Sequence, residues 1–371
     1  MTFDCRGEND CEHGGKCFEE NLKCLRRRLC LCEPCFFGRK CQFSTSGFGL
    51  SLDAIIGYHI QPNIDLVHQS AIVKLSFALT VTILFAAFID GILCLMTFKN
   101  RSVREVGCGL YLFGSAITTL LTMVMFGLKF FVLLLTQMNG TSNRSLLKMQ
   151  CLSLDWILRV CLHMDQWLNA CVAIERTTIS IKGVTFDKKK SKRAVKFVVM
   201  ILFILVVGTC LHDPFHRDLI VEENDDGDEI RIWCIVKYSS AVRIYNSITH
   251  IVHFSGPFLL NLFSSIIILL IKTRQYRTMH PKQSVKESFL KQFRKHKHLL
   301  MGPIVLVLLA LPRLIIAFVS KCMKDADDVW LFLIGYYVSF IPILLTFVIF
   351  VLPSKFYRKE FRKALRRLCR N

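Results

Sequence analysis

Acid is scarce in this sequence of 371 residues: 28 Asp and Glu stand against 48 Lys and Arg, a formal net charge of +20. Such an excess would suit nucleic acid if it were gathered into one patch. The basic residues instead sit in short blocks between apolar runs, so nucleic acid is not expected as a partner. Repeats and low-complexity tracts are also missing, which argues against a transporter built from internal repeats. The opening Met1-Thr-Phe-Asp-Cys lacks the apolar core of a cleavable signal peptide. Export is then expected from the first membrane helix or from a start lying upstream. Charge is absent from Leu75 to Phe88, Phe197 to Leu211, Phe254 to Ile271 and Trp330 to Leu352. Runs of about 17–25 mostly apolar residues span a bilayer as helices. These runs exclude disorder for most of the chain and exclude a single soluble domain.

What is present is a set of seven apolar helical segments, at roughly 71–98, 107–135, 151–181, 195–212, 242–271, 299–320 and 329–352. With the N-terminus outside, the segments left inside hold 26 Lys and Arg against 4 acids. Those left outside hold 15 against 20 acids, and Lys and Arg collect on the cytoplasmic side of a membrane protein. The sequons at Asn139 and Asn143 fall in the first outer loop and are expected to carry glycan. A third, at Asn100, falls inside and is expected to stay bare.

The 17 cysteines divide sharply, eight of them lying at Cys5, Cys11, Cys17, Cys24, Cys30, Cys32, Cys35 and Cys41. A dense, even-numbered cluster in a short segment reads as a disulfide framework from an oxidising compartment. Spacing alone leaves its connectivity open. Cys11-Glu-His-Gly-Gly-Lys-Cys17 and Cys30-Leu-Cys32-Glu-Pro-Cys35-Phe-Phe-Gly38-Arg-Lys-Cys41 resemble the epidermal-growth-factor-like (EGF-like) module over about 40 residues. The resemblance implies Cys5–Cys17, Cys11–Cys30 and Cys32–Cys41, with Cys24 and Cys35 free for a fourth bridge. The module is either a spacer or a binding unit for a ligand or matrix partner. No acidic set around Cys5 suggests calcium.

Cys151 stands near the start of the third segment, and Ala173-Ile174-Glu175-Arg176-Thr177 places its arginine 25 residues on. With Cys234 in the second outer loop and seven segments, this resembles the rhodopsin-like G-protein-coupled receptor family over residues 71 to about 368. The resemblance implies a Cys151–Cys234 bridge across the outer mouth. It implies that Glu175 restrains Arg176 at rest and that Arg176 turns toward a heterotrimeric G protein on activation. Pro257, Pro312 and Leu352-Pro353-Ser-Lys-Phe356-Tyr357 resemble the family's fifth-, sixth- and seventh-helix prolines and the Tyr357 end of its last motif. Proline removes a backbone bond and permits a kink in a helix that must swing. Beyond Pro353 the chain reads as an amphipathic eighth helix with Phe361, Leu365 and Leu368 toward lipid, and Cys369 is a candidate for palmitoylation.

Several positions depart from that family. Ala310 replaces the sixth-helix tryptophan, Leu352 the seventh-helix asparagine, and Ser265 the fifth-helix tyrosine. The mid-helix aspartate of the second helix is missing, with Thr118 and Thr119 its nearest polar neighbours. Asp90 and Asp165 remain as intramembrane carboxylates, expected to share a central polar cluster.

The pocket implied by the resemblance has Leu158 where amine receptors carry aspartate, which disfavours a biogenic amine. Asp155 and Arg159 lie four apart and are expected to pair. Arg159, His163, His250, His253 and Arg313 form a cationic set that suits an acidic or carbonyl-rich portion of a ligand. The acidic run from Glu222 to Glu229 reads as a solvated loop or as a funnel that steers a basic peptide. His212-Asp213-Pro-Phe-His216 stands alone and does not make a hydrolase.

The expectation is an all-α membrane protein: a seven-helix bundle with an amphipathic eighth helix, preceded by a disulfide-rich EGF-like domain. Residues 1–45 form the module, 46–70 a linker, 71–353 the receptor domain and 354–371 the amphipathic helix and tail. The expected role is a plasma-membrane receptor for a peptide-like extracellular ligand that activates heterotrimeric G proteins. Its partners are membrane lipid, ligand and G protein, with no cofactor, no metal and no enzymatic activity. The rivals are a non-receptor seven-helix transporter or channel and an adhesion receptor built on the EGF-like module.

Overall fold

The computed structural model describes residues 2–3, 11–22, 25–33, 35–44, 51–139, 143–223, 230–279, 304–309, 311–312, 315 and 329–368. Strands β1 (Thr2–Phe3), β2 (Lys16–Leu22) and β3 (Leu25–Leu31) form an antiparallel sheet in that order. Beside it β4 (Phe36–Phe37) pairs with β5 (Phe43–Ser44). So small a segment buries little apolar surface and needs staples. Bridges join Cys11 to Cys30 and Cys32 to Cys41, and Cys17 and Cys35 are disulfide-bonded too. Cys5 and Cys24 lie outside the described residues. Gly38 has a φ of +109°, where a Cβ is disfavoured, and it lies against the Gln42 side chain.

The rest is helical: α1 (Leu52–Ile56), α2 (Ala71–Phe98), α3 (Gly107–Asn139), α4 (Arg144–Lys182), α5 (Lys188–Cys210), α6 (His212–Phe215) and α7 (Ser240–Met279). A helical stretch covers 304–309. Then come α8 (Val329–Val338), α9 (Ile341–Leu344), a π-helical turn at Phe347–Val351 and α10 (Lys355–Leu368). Strands β6 (Arg217–Glu223) and β7 (Ile230–Val236) make an antiparallel hairpin between α6 and α7.

Among the described residues four helices are long and apolar enough to cross a membrane, over Ala71–Phe98, Gly107–Asn139, Lys188–Phe215 and Ser240–Thr278. The α5 side chains Phe197, Met200, Ile201, Phe203, Ile204 and Leu205 are exposed. An apolar surface of that kind is costly in water and suits lipid. The remaining apolar segments differ from this group for visible reasons. Helix α4 is long, but Asp155, Arg159, Asp165, Glu175 and Arg176 interrupt it. The segment expected at 329–352 breaks at Pro342 and again at the π-helical turn. The one expected at 299–320 falls largely outside the described residues.

Helix starts are set by caps that apolar periodicity does not register. Asn143 accepts from Ser145 N and starts α4 ahead of the expected 151; Asp187 accepts from Lys189 N and Lys190 N and starts α5 ahead of 195. Helix α4 packs against α3, α5 and α7. One apolar core gathers Leu52, Ile55 and Ile56 of α1 with Phe126, Phe130 and Phe340. A second, toward the Arg176 end, holds Phe98, Leu112, Leu168 and Phe350.

Candidate functional site

At the end of the helices nearest the cysteine-rich module lies a buried chain of alternating charge. Lys129 of α3 meets Asp53 of α1 and Asp155 of α4, each at 2.6 Å. Arg217 of β6 meets the same Asp155 at 2.5 Å and Asp213 of α6 at 2.7 Å. Arg159 of α4 reaches Asp213 at 3.3 Å and donates to Asn246 of α7 at 3.0 Å. Three acids and three bases balance, and the Asp213 side chain is 0% exposed. Buried charges persist only when paired and hydrogen-bonded, and here each has a partner. Tyr238 completes the set by donating its hydroxyl to Asp213. Burial and then the Asp213 charge push the Tyr238 hydroxyl above the ordinary tyrosine range. Burial works against the charge on Arg217, but Asp155 and Asp213 outweigh it and hold the guanidinium more firmly protonated.

This chain corrects the expected pair. Asp155 and Arg159 do share a face of α4, but Asp155 is taken by Lys129 and Arg217, and Arg159 turns to Asp213. Lys129 at 2.6 Å and Arg217 at 2.5 Å occupy the Asp155 carboxylate, and Asp213 is the acid within reach of Arg159. The chain also takes up Asp213 of the His212-Asp213-Pro-Phe-His216 segment, pairing it with Arg159 and Arg217. His212 Nε2 bonds Asn246, and His216 Nδ1 bonds the His212 carbonyl.

Above the charges, the hairpin and the module close over the helices. A bridge joins Cys151 of α4 to Cys234 of β7, the pairing that the receptor resemblance implies. Trp233, 0% exposed, donates to Glu222 at 2.5 Å, and the Tyr58 hydroxyl donates to the same oxygen at 3.0 Å. Glu222 is therefore buried and engaged, not a solvated member of an acidic funnel, and 224–229 lie outside the described residues. The module docks through Phe43 against Trp233 (ring centres 5.2 Å apart), Glu12 against Lys237 at 2.9 Å, and Phe36 under the Arg243 guanidinium at 5.2 Å. It is thus packed on the hairpin and the helices. Between module and helices remains a cavity of about 150 Å³ whose walls include Phe36, Phe43, Arg159, Arg217, Arg243 and His250.

Of the other residues expected in the pocket, His163 and His253 sit deeper. Their rings stack at 4.7 Å, with His250 at 5.8 Å from His163. Trp167 Nε1 donates to His253 Nδ1 at 2.9 Å, and Thr209 Oγ1 lies 2.8 Å from the other ring nitrogen. These bonds fix His253 as an interhelical strut. Among the described residues no group of His, Cys, Asp or Glu is arranged to hold a metal ion. Arg313 lies outside the described residues.

Among the described residues the two intramembrane carboxylates have separate hydrogen-bond partners. Asp90 accepts from the Phe347 backbone N at 2.9 Å, at the turn where the last apolar segment loses regular helix. Asp165 accepts from Ser115 Oγ at 2.5 Å and Asn169 Nδ2 at 3.1 Å. It also borders a cavity of about 70 Å³ together with Asn169, Pro257 and Asn261.

At the opposite end of α4, Glu175 accepts from Ser191 of α5. The Arg176 guanidinium lies 5.1 Å from the Phe350 ring centre and hydrogen-bonds Tyr357. Pro353 separates the π-helical turn from α10. Phe356 is exposed, whereas Phe361 packs on Phe347 at 5.0 Å and faces the helices, not lipid. Leu365 remains exposed, and Cys369 lies outside the described residues. Asn139 ends α3 with an exposed side chain, and Asn143, also exposed, caps α4.

Sequence reasoning missed Asp53, Lys129, Asp213 and Arg217. Lys129 offered a signal: an ammonium inside a 33-residue apolar helix demands a buried acid. Nothing local names Asp53 or Asp155 as that acid. No family model matches the chain, and no curated protein matches it.

Proposed function

We propose that the chain is a rhodopsin-like G-protein-coupled receptor. In this reading seven helices cross the plasma membrane, the cysteine-rich module lies outside, and α10 rests on the cytoplasmic face. A ligand arriving beneath the module biases a two-state bundle, and Arg176 with the basic inner segments acts on a heterotrimeric G protein. One observation carries the proposal: α4 bears the Cys151–Cys234 bridge at one end and Glu175-Arg176 at the other. A single helix of 39 residues thereby connects a covalently shaped mouth to a charged inner end. Glu175 is held by Ser191 and Arg176 is laid on Phe350, contacts other than the Glu175–Arg176 restraint that the receptor resemblance implies at rest. The cationic chamber favours a ligand with an anionic portion, and the burial of Glu222 removes part of the support for a basic peptide.

Guanine-nucleotide exchange on a panel of purified G proteins tests this reading. The expected result is basal exchange on at least one G protein and its loss in Arg176→Ala at unchanged thermal stability. Absence of exchange on the whole panel, or full exchange by Arg176→Ala, overturns it.

A further inference from the structure

We infer that the cavity between module and helices is a binding chamber for a small aromatic carboxylic acid, with the cysteine-rich module forming part of its wall. This rests on the receptor reading above and names the ligand class of that site.

The lining charges point to an anion. Among the described residues three arginines border the cavity (Arg159, Arg217 and Arg243) and no carboxylate does. Asp155 and Asp213 balance Arg217 and Arg159 from behind, so the guanidinium side of the ion chain faces the cavity and the acid side does not. A guanidinium has five N–H donors. Among the described residues Arg159 commits donors only to Asn246 and Asp213, so others remain for a ligand. Arg243 pairs with no carboxylate among the described residues and rests on the Phe36 ring, adding a positive charge that the chain does not balance. Planar forks of this kind grip carboxylates through two parallel bonds.

The size and the walls select the remainder of the ligand. A void of about 150 Å³ accepts a ring the size of benzene. Phe36, Phe43 and Tyr238 supply aromatic walls, which favour stacked or edge-on contact with such a ring. Phe36 and Phe43 belong to the module, and Arg159, Arg217 and Arg243 to the helices and hairpin. Neither half encloses the cavity alone. A peptide does not fit a void of this volume beneath a docked module.

Calorimetry on the purified full chain in discs of uncharged lipid tests the inference, with sodium benzoate, benzamide and inorganic phosphate as probes. The expected result is one saturable benzoate site per chain, with benzamide at least about tenfold weaker for want of charge-assisted hydrogen bonds and phosphate weaker for want of a ring to meet the aromatic walls. Arg243→Ala and Phe36→Ala each weaken benzoate by a similar factor, and unchanged melting midpoints show that both variants fold. Benzoate no tighter than benzamide, phosphate tighter than benzoate, or variants that bind as the parent does would overturn the assignment. Exchange on G proteins is read separately. Benzoate binding without exchange on any G protein sinks the receptor reading and leaves the chamber; exchange without benzoate binding does the reverse.

Discussion

Arg217 is the residue on which the buried charges turn, because among the described residues it alone pairs with both Asp155 and Asp213. Removing one member of a buried ion set leaves its partners charged and desolvated, at a cost of about 3–5 kcal/mol. Arg217→Met is therefore expected to lower the melting midpoint of the purified chain sharply. Arg243→Met, at an exposed site outside the chain, is expected to leave it nearly unchanged. Two tyrosines add a pH signature. Burial raises the Tyr58 and Tyr238 hydroxyls above their ordinary value, helped by Glu222 and Asp213 respectively. Above pH ~10 the unfolded chain releases these protons while the folded chain keeps them. Stability is thus fully present below that pH and falls as pH rises beyond it. Melting midpoints at pH 8 and 10.5 should show the fall, and Tyr58→Phe/Tyr238→Phe should flatten it; an equal fall in the double variant would refute the assignment. Much of this escapes inspection of the sequence. Arg159 and His250 stood out because proline and cysteine landmarks lay nearby. Asp213 and Arg217 looked like loop residues, since only the hairpin returning over α4 brings them to Asp155.

The hairpin β6–β7 is the element that makes the mouth. Its Cys234 is tied to Cys151 across 83 residues of chain, and its Trp233 lies against Gly57 so closely that an added Cβ would come within 2.5 Å of the ring. Closing a loop of that length restricts the unfolded chain by about 4–5 kcal/mol in the chain-entropy account. Cys151→Ser/Cys234→Ser is expected to lower the melting midpoint strongly and to release the hairpin, measured as faster amide exchange over 217–236. Gly57→Ala is expected to disturb the same contact with the bridge intact, read as a shift in tryptophan fluorescence. Unchanged exchange and unchanged fluorescence would show that the module, not the hairpin, holds the mouth shut. Elements of this kind are half legible in sequence. The apolar runs announced α2, α3, α5 and α7 because lipid-facing and core-facing positions are both apolar. The strands did not announce themselves, because an acidic run follows β6 and obscures its alternation. The π-helical turn after α9 is likewise hidden in the sequence, because the group that takes its Phe347 N–H is Asp90 on another helix.

For the whole molecule, the sharpest question is which face of the membrane each end occupies, and the sequons answer it. The proposed orientation, argued from the loop charges, has Asn139 and Asn143 outside and Asn100 inside. The structure adds a local argument that does not depend on charge. Asn100 Nδ2 donates to the Glu360 carbonyl at 3.1 Å, and Ser102 of the same sequon donates to the Glu360 carboxylate at 2.6 Å. The nitrogen that would carry the sugar is thus occupied, and α10 lies against it. Lys363 holds the same carboxylate at 2.6 Å, so the clamp joins the loop 99–105 to α10 by side chain and backbone together. Asn143, by contrast, is exposed and uses its oxygen to cap α4, which leaves its nitrogen open to solvent. Enzymatic deglycosylation of protein made in a glycosylating host should shift the mobility of the parent and of Asn100→Gln equally. Asn139→Gln/Asn143→Gln should show no shift. Glycan on Asn100 would break the clamp and reverse the orientation. With it would go the placement of the cysteine-rich chamber outside the cell and of Arg176 within reach of a G protein.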